Sequence, residues 1–337
     1  MLTPEQIARE KIDLMLKKAG WAIQHYRNFN PTVAAAIAVC EYHTDTGPAD
    51  YILFVNQIPI GVIEAKEENE AHRLVVHEEQ TERYAQSKLR YIGQRLIPFS
   101  YISTGTFTEF ADARDPKPRY REVFYFHQPK TLWEAYQSQK SLRRNLLEEL
   151  PLLGGVTSEL TDDIVKETAK ELGLRECQFT AIYKLEHSFR QGRTRALIQM
   201  ATGAGKTFTA ITSVYRLLRY AKASRILFLV DTRNLGEQAE QEFRLYKPEG
   251  ELRTFPEIYT VQRLTSSYIA PDAKVCISTI QRMYSILQGR EIDESLEESP
   301  ITGAEQVQEV AFNERVPIEA FDFIIIDECH RSIYNLW

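Results

Sequence analysis

Gln199-Met200-Ala201-Thr202-Gly203-Ala204-Gly205-Lys206-Thr207 restricts what this chain can fold into more than any other stretch. An apolar run, Ala196–Met200, precedes it and an amphipathic helical pattern, Lys206–Ala221, follows. Glycines let backbone N–H groups converge on phosphate oxygens, and a helix N-terminus adds partial positive charge. In this reading Thr202, Gly203, Ala204 and Gly205 line the cradle. Lys206 neutralises the outer phosphates of ATP, and Thr207 brings its hydroxyl to Mg²⁺. Met200 stands where the strict G-x-x-x-x-G-K-[ST] pattern has its first glycine, leaving A-x-x-G-x-G-K-T. The bland alternative is a Gly-rich turn; a strand before it and a helix after it weigh against that.

The surrounding pattern is a strand–helix alternation. Helices are expected at 161–172, 178–189, Lys206–Ala221, 234–246 and Ile280–Leu287. Strands are expected at Ala196–Met200, Ile226–Val230, Val275–Ser278 and Phe323–Ile326. Continuous apolar strands between amphipathic helices imply an α/β fold with a parallel sheet covered on both faces. The last strand ends in Asp327-Glu328-Cys329-His330. An acidic pair at a strand's C-terminal end meets the ligand crevice of such a sheet. There Asp327 is expected to hold Mg²⁺ through water, and Glu328 to orient and deprotonate an attacking water.

The first part of the chain reads differently. A capped helix begins at Pro4 and stops at Gly20. Short β-rich runs follow at Ala34–Cys40, Tyr51–Val55, Ile60–Ala65, Phe99–Ser103 and Val123–Phe126, with a polar helix at about 68–87 and a helix over Leu132–Leu150. Pro151 and Gly154-Gly155 place the expected domain boundary at 150/151, giving domains 1–150 and 151–337. Glu64 and Lys66 are two apart on a strand, so both side chains leave one face. Asp50, starting the neighbouring strand, is expected to meet them across the hairpin. Two carboxylates holding Mg²⁺ beside a lysine suit metal-assisted phosphodiester cleavage.

Charge sharpens the choice of partner. Residues 1–150 carry 19 Lys and Arg against 20 Asp and Glu, residues 151–290 carry 20 against 15, and residues 291–337 carry 2 against 12. Only the middle segment has the basic surplus that a nucleic-acid-gripping face needs, which argues against indiscriminate DNA coating but not against local grooves. The acidic stretch 291–319 reads as a solvated insertion. No apolar run has the roughly 20 residues of a membrane span, and four scattered cysteines fit a reducing cytoplasm.

The loop variant and the D-E-C-H tetrapeptide resemble the superfamily 2 DEAD/DEAH-like motors. That resemblance implies an adenine-reading role for Gln178, near Arg175, and DNA-backbone contacts by Val230-Asp231-Thr232-Arg233, with Leu235 and Gln238, and by Ser278-Thr279-Ile280-Gln281. Asp50 with Val62-Ile63-Glu64-Ala65-Lys66 resembles the PD-(D/E)XK nucleases. Gln80-Thr81-Glu82-Arg83-Tyr84 is similar to the Q-x-x-x-Y helix of their RecB-like branch, where Gln80 and Tyr84 share one helix face toward the site. The order nuclease, phosphate loop, D-E-C-H resembles the restriction (R) subunit of type I restriction–modification enzymes. Ala8-Arg9, Ile12-Asp13, Leu16 and Ala19-Gly20-Trp21 resemble its N-terminal helix, and Leu132-Trp133 its link to the motor.

The resemblance implies a mixed-sheet nuclease domain followed by a RecA-like lobe. It also implies Mg²⁺-dependent cleavage of double-stranded DNA coupled to ATP-driven translocation, with partner subunits supplying specificity and methylation. By this reading the chain is an N-terminal fragment lacking the second RecA-like lobe and the partner-docking region. Two alternatives stay open. One is a non-catalytic ATP- and DNA-binding module. The other is a helicase–nuclease of DNA repair or of a type III system, although type III enzymes by resemblance place the nuclease after the motor.

Overall fold

The structure, a computed structural model, describes residues 4–45, 47–68, 90–92, 95–157, 159–289 and 312–328. The helix expected at about 68–87, with Gln80 and Tyr84, lies outside the described residues apart from its first position. So do most of the acidic stretch, Cys329 and His330. The chain forms two compact units, Met1–Ser141 and Leu142–Trp337.

In the first unit, helix α1 (Pro4–Lys18) precedes strands β1 (Ala22–His25), β2 (Ala36–Thr44), β3 (Gly47–Val55) and β4 (Ile58–Ala65). A small ladder, β5 (Arg90–Ile92) with β6 (Arg95–Ile97), comes next. Strands β7 (Phe99–Ser103), β8 (Thr108–Asp112) and β9 (Arg121–Glu122) complete the main sheet. Its order among the described residues is β1-β2-β3-β4-β7-β8-β9. It is mixed: β1/β2 and β4/β7 run parallel, the other pairs antiparallel. The β3–β4 hairpin turns through Asn56 and Gln57, both at positive φ (48° and 67°), the backbone that matches strand twist in a tight hairpin. Ile12 and Leu16 of α1 are fully buried, which is the apolar stripe its spacing calls for.

Two expectations for this unit are corrected. Val123–Phe126 is not a strand: the ladder ends as the Val123 N–H donates to the Thr108 carbonyl (2.9 Å), and Phe126 plugs the core from a loop, its ring 5.2 Å from that of Tyr101. Leu132–Leu150 is not one helix but two, α2 (Pro129–Gln137) and α3 (Leu142–Glu148). Arg114 stops α2 by donating to the carbonyls of Ala135 (2.7 Å) and Ser138 (2.9 Å). Leu146 and Leu150 pack into the core of the second unit. The division therefore falls before α3, not at 150/151.

Glu109 of β8 is buried, and its Oε2 finds no hydrogen-bond partner among the described residues. Burial, followed by the charge of Glu122 opposite it in register, pushes its carboxyl up to about 7. The folded group keeps its proton to about pH 7, whereas the unfolded one loses it near 4.5. Its penalty is absent below the unfolded value and grows as pH rises to the folded one. Glu109→Gln is therefore expected to stabilise the chain by about 1–2 kcal/mol at pH 8, after discounting for solvent screening, and by little at pH 5. Thermal melts at the two pH values check this; equal gains at both would refute it.

The second unit continues with α4 (Asp162–Glu171), α5 (Glu176–Arg190), α6 (Lys206–Arg219), β10 (Ile226–Val230), α7 (Arg233–Leu245), α8 (Phe255–Ile258), β11 (Thr260–Arg263), β12 (Ala273–Thr279), α9 (Ile280–Leu287) and β13 (Phe323–Ile326). The sheet, ordered β11-β12-β10-β13, is parallel throughout. Every residue of β10 is buried, as a parallel strand covered on both faces requires. Ala196–Met200 does not join this sheet. Leu197 is 77% exposed, and no described strand pairs with the run. An apolar run becomes a strand only where a neighbour completes its ladder. Arg216 and the 3%-exposed Glu186 tie α6 to α5, while Glu186 Oε2 also accepts from the Leu153 N–H (2.8 Å).

Candidate functional site

The phosphate-loop residues lead directly into the N-terminus of α6. Gly203 (φ 77°) and Gly205 (φ 86°) take the left-handed backbone that side chains disfavour, and α6 starts at Lys206 directly after Gly205. Gln178 and Arg175 brace the loop. The Gln178 Oε1 accepts from the Arg175 N–H (3.0 Å), its Nε2 donates to the Ala204 carbonyl (3.2 Å), and Arg175 Nη1 donates to the Gly203 carbonyl (2.6 Å). A Cβ at Gly205 would lie 2.3 Å from the Gln178 amide nitrogen, so the glycine makes the close approach possible. Gln178 thus closes the loop, a duty that the sequence reading did not include; reading adenine stays a proposal.

The acidic pair arrives from β13, whose register beside β10 is continued by the Asp327 N–H donating to the Leu229 carbonyl (2.9 Å). Lys206 Nζ donates to Glu328 Oε1 (2.5 Å), and the Glu328 N–H donates to Asp327 Oδ1 (3.0 Å). The Thr207 side chain favours the ionised form of the Asp327 carboxylate, against the effect of burial. Burial raises the Asp327 carboxyl above its ordinary value, and the Glu328 hydrogen bond raises the Lys206 ammonium. Lys206, Thr207, Asp327 and Glu328 therefore form one cluster at the sheet's C-terminal edge, while Thr202 lies exposed on the loop. A lysine, a hydroxyl and two carboxylates suit a triphosphate with its divalent cation.

The loops expected to touch DNA have structural work of their own. Thr232 caps α7 by accepting from the Leu235 N–H (3.5 Å), and Thr279 caps α9 by accepting from the Arg282 N–H (3.2 Å). N-capping accounts for a threonine at each position.

In the first unit, Tyr51↔Ile63 pairing sets Asp50 opposite Glu64. The Ala65 N–H donates to Asp50 Oδ2 (2.9 Å), so the carboxylate lies against the backbone between Glu64 and Lys66. The ladder runs on past the strand, since the Lys66 N–H donates to the Ser103 carbonyl (2.8 Å). Glu64 and Lys66 are half-buried, and Asp50 is 21% exposed. Arg9 of α1 forms an ion pair with Asp50 and lies 3.5 Å from Glu41, whose other oxygen is 3.0 Å from His25 Nε2. Glu41 stands opposite Asp50 by the β2–β3 register, with φ at 56°. Arg9 and Glu41 were missed as site residues. The available signal was a charge pair, Arg9 and Asp13, one turn apart beside the buried Ile12 and Leu16.

Comparison with known proteins agrees with both halves. A family described as the type III restriction enzyme res subunit matches residues 171–337. The second domain of the type I restriction enzyme EcoKI endonuclease subunit matches residues 20–97. The EcoKI endonuclease subunit of Escherichia coli is 26% identical over 97% of this chain and 29% of its own length. The Escherichia coli EcoAI endonuclease subunit is 29% identical over 84% of this chain and 30% of its own. A type I endonuclease subunit of Staphylococcus aureus is 24% identical over 85% of this chain and 27% of its own. The chain thus spans less than a third of the length of these relatives. With a mixed-sheet unit that carries Asp50, Glu64 and Lys66, a RecA-like unit that carries the phosphate loop, and relatives that align across both, the chain is similar to type I restriction enzyme endonuclease subunits along most of its length.

Proposed function

We propose that the chain carries the DNA-cleaving site and the first ATP-binding lobe of a type I restriction enzyme. The observation that supports this best is the seat of Asp50, hydrogen-bonded to Ala65 between Glu64 and Lys66. The residues fit Mg²⁺. Among the described residues no third His, Cys, Asp or Glu completes a metal cage with Asp50 and Glu64. Mg²⁺ needs none, since it takes one or two carboxylates and keeps water and phosphate as its other ligands. When bound it polarises a phosphodiester and lowers the pKa of a water. Asp50 and Glu64 would hold it. Lys66, two residues along from Glu64, offsets charge building on the phosphate.

In the motor unit, Lys206 leaves Glu328 for the phosphates of ATP, and that exchange frees the Glu328 carboxylate to take a proton from water. Thr207 and Asp327 would hold the accompanying Mg²⁺. Double-stranded DNA is the substrate, and specificity and methylation subunits are the partners of the whole enzyme. No described helix is long and apolar enough to cross a membrane, and we place the enzyme in the cytoplasm.

The test is direct. The 337-residue chain is expected to nick supercoiled plasmid with Mg²⁺, and chelation is expected to stop it. Absence of cleavage at every Mg²⁺ concentration would leave a non-catalytic DNA- and ATP-binding module.

A further inference from the structure

Each oxygen of Asp50 already has a donor. The Ala65 N–H holds Oδ2 (2.9 Å), and the Arg9 guanidinium holds Oδ1. Arg9 is aimed there by its own backbone. Tyr51, 2% exposed and next in sequence to Asp50, donates its hydroxyl to the Arg9 carbonyl (3.3 Å) and to Asp13 Oδ1 (2.8 Å). Tyr51 holds the Arg9 backbone and Asp50 its guanidinium, so one strand fixes both ends of Arg9. Two further contacts secure the helix. Lys11 Nζ lies 3.3 Å from Glu68 Oε2. Gly105, at φ +81°, lets the loop after β7 approach so closely that a Cβ there would lie 2.5 Å from the Lys11 Cβ.

An ordinary ion pair stapling a helix to a sheet would give the same distances. The choice of partner distinguishes this one. Register places Glu41, Asp50 and Glu64 side by side on β2, β3 and β4, and adjacent carboxylates repel unless a cation stands among them. Arg9 is that cation, touching Asp50 and Glu41 together.

Resting on the nuclease reading above, we infer that Arg9 belongs to the cleavage site as an exchangeable counter-ion. It holds Asp50 until a divalent cation binds at Asp50 and Glu64, and it then gives Asp50 up while keeping Glu41. Two cations cannot share one carboxylate oxygen cheaply. Arg9 release and cation binding are therefore one exchange, and Arg9 sets how much cation the site needs. Arg9 is a positioning residue in this scheme, and its signature is metal affinity.

The test titrates MnCl₂ alone into the full chain by calorimetry. Arg9→Gln is expected to bind Mn²⁺ about tenfold more tightly, the size expected when one charge-assisted competitor is lost. Arg9→Lys, which keeps the charge but not the planar fork, is expected to gain about threefold. It also serves as the decisive variant if Arg9→Gln does not fold. Asp50→Asn is expected to lose this binding. If Asp50→Asn loses it while both Arg9 variants bind as the unsubstituted chain does, or more weakly, the exchange is overturned and the nuclease reading stands. If Asp50→Asn binds Mn²⁺ normally, the metal assignment itself falls and takes the exchange with it.

Discussion

The Lys206→Ala chain is expected to bind ATP with Mg²⁺ about a hundredfold more weakly than the unsubstituted chain. The ammonium is the cation that α6 presents at its first residue, and hydrogen bonds between charged groups are the strong ones. Its present partner makes a second, opposite expectation. Lys206 must leave Glu328 (2.5 Å) to reach phosphate. Glu328→Gln removes that competitor and is expected to tighten ATP binding about threefold, the scale of a partly exposed ion pair, while abolishing turnover in the whole enzyme. Titration with a fluorescent ATP analogue reads both variants. Weak binding by both would mean that Glu328 helps to hold nucleotide. Unchanged binding by both would remove the loop from the nucleotide site altogether.

How much of this was legible beforehand varies with the kind of signal. Ile226–Val230, Phe99–Ser103, Phe323–Ile326 and Ile280–Leu287 have the same bounds in the sequence reading and the structure, because buried strands and capped helices carry strong local patterns. Lys206 and Glu328, far apart in sequence, meet because a parallel sheet delivers strand ends to one edge. Ala196–Met200 reads as a strand by composition, yet pairing depends on a neighbour that local pattern cannot supply. β1, β8 and β11 went unread, being short and polar at several positions, including Gln24, Glu109 and Gln262. Arg9 escaped for a different reason. A charge on an amphipathic helix reads as solvated face, and only the Tyr51 hydrogen bonds and the β3–β4 register turn it toward Asp50. Gln178 was found by position, but its bond to Ala204 depends on the left-handed turn at Gly205.

Glu64→Ala is expected to lower Mg²⁺-dependent plasmid cleavage by about a thousandfold, since a metal ion's stabilisation of charge in the transition state is worth several kcal/mol. Fold loss is the competing explanation, and the division of the chain separates the two. Glu64 lies at the end of β4 in the first unit, half-buried, with its apolar neighbours Ile63 and Ala65 carrying the packing. The proposed ATP site, with Lys206 and Thr207, lies in the second unit. A Glu64→Ala chain that keeps its ATP affinity and its melting temperature but has lost cleavage has lost a metal ligand. Loss of all three would make Glu64 a structural residue. Lys66→Ala gives the finer discrimination: with the carboxylates intact it is expected to keep Mn²⁺ affinity while cleavage falls, because its ammonium acts on the phosphate and not on the cation. Equal Mn²⁺ loss in Glu64→Ala and Lys66→Ala would place both side chains in the support of the strand end, and the division of labour between carboxylate and ammonium would be wrong.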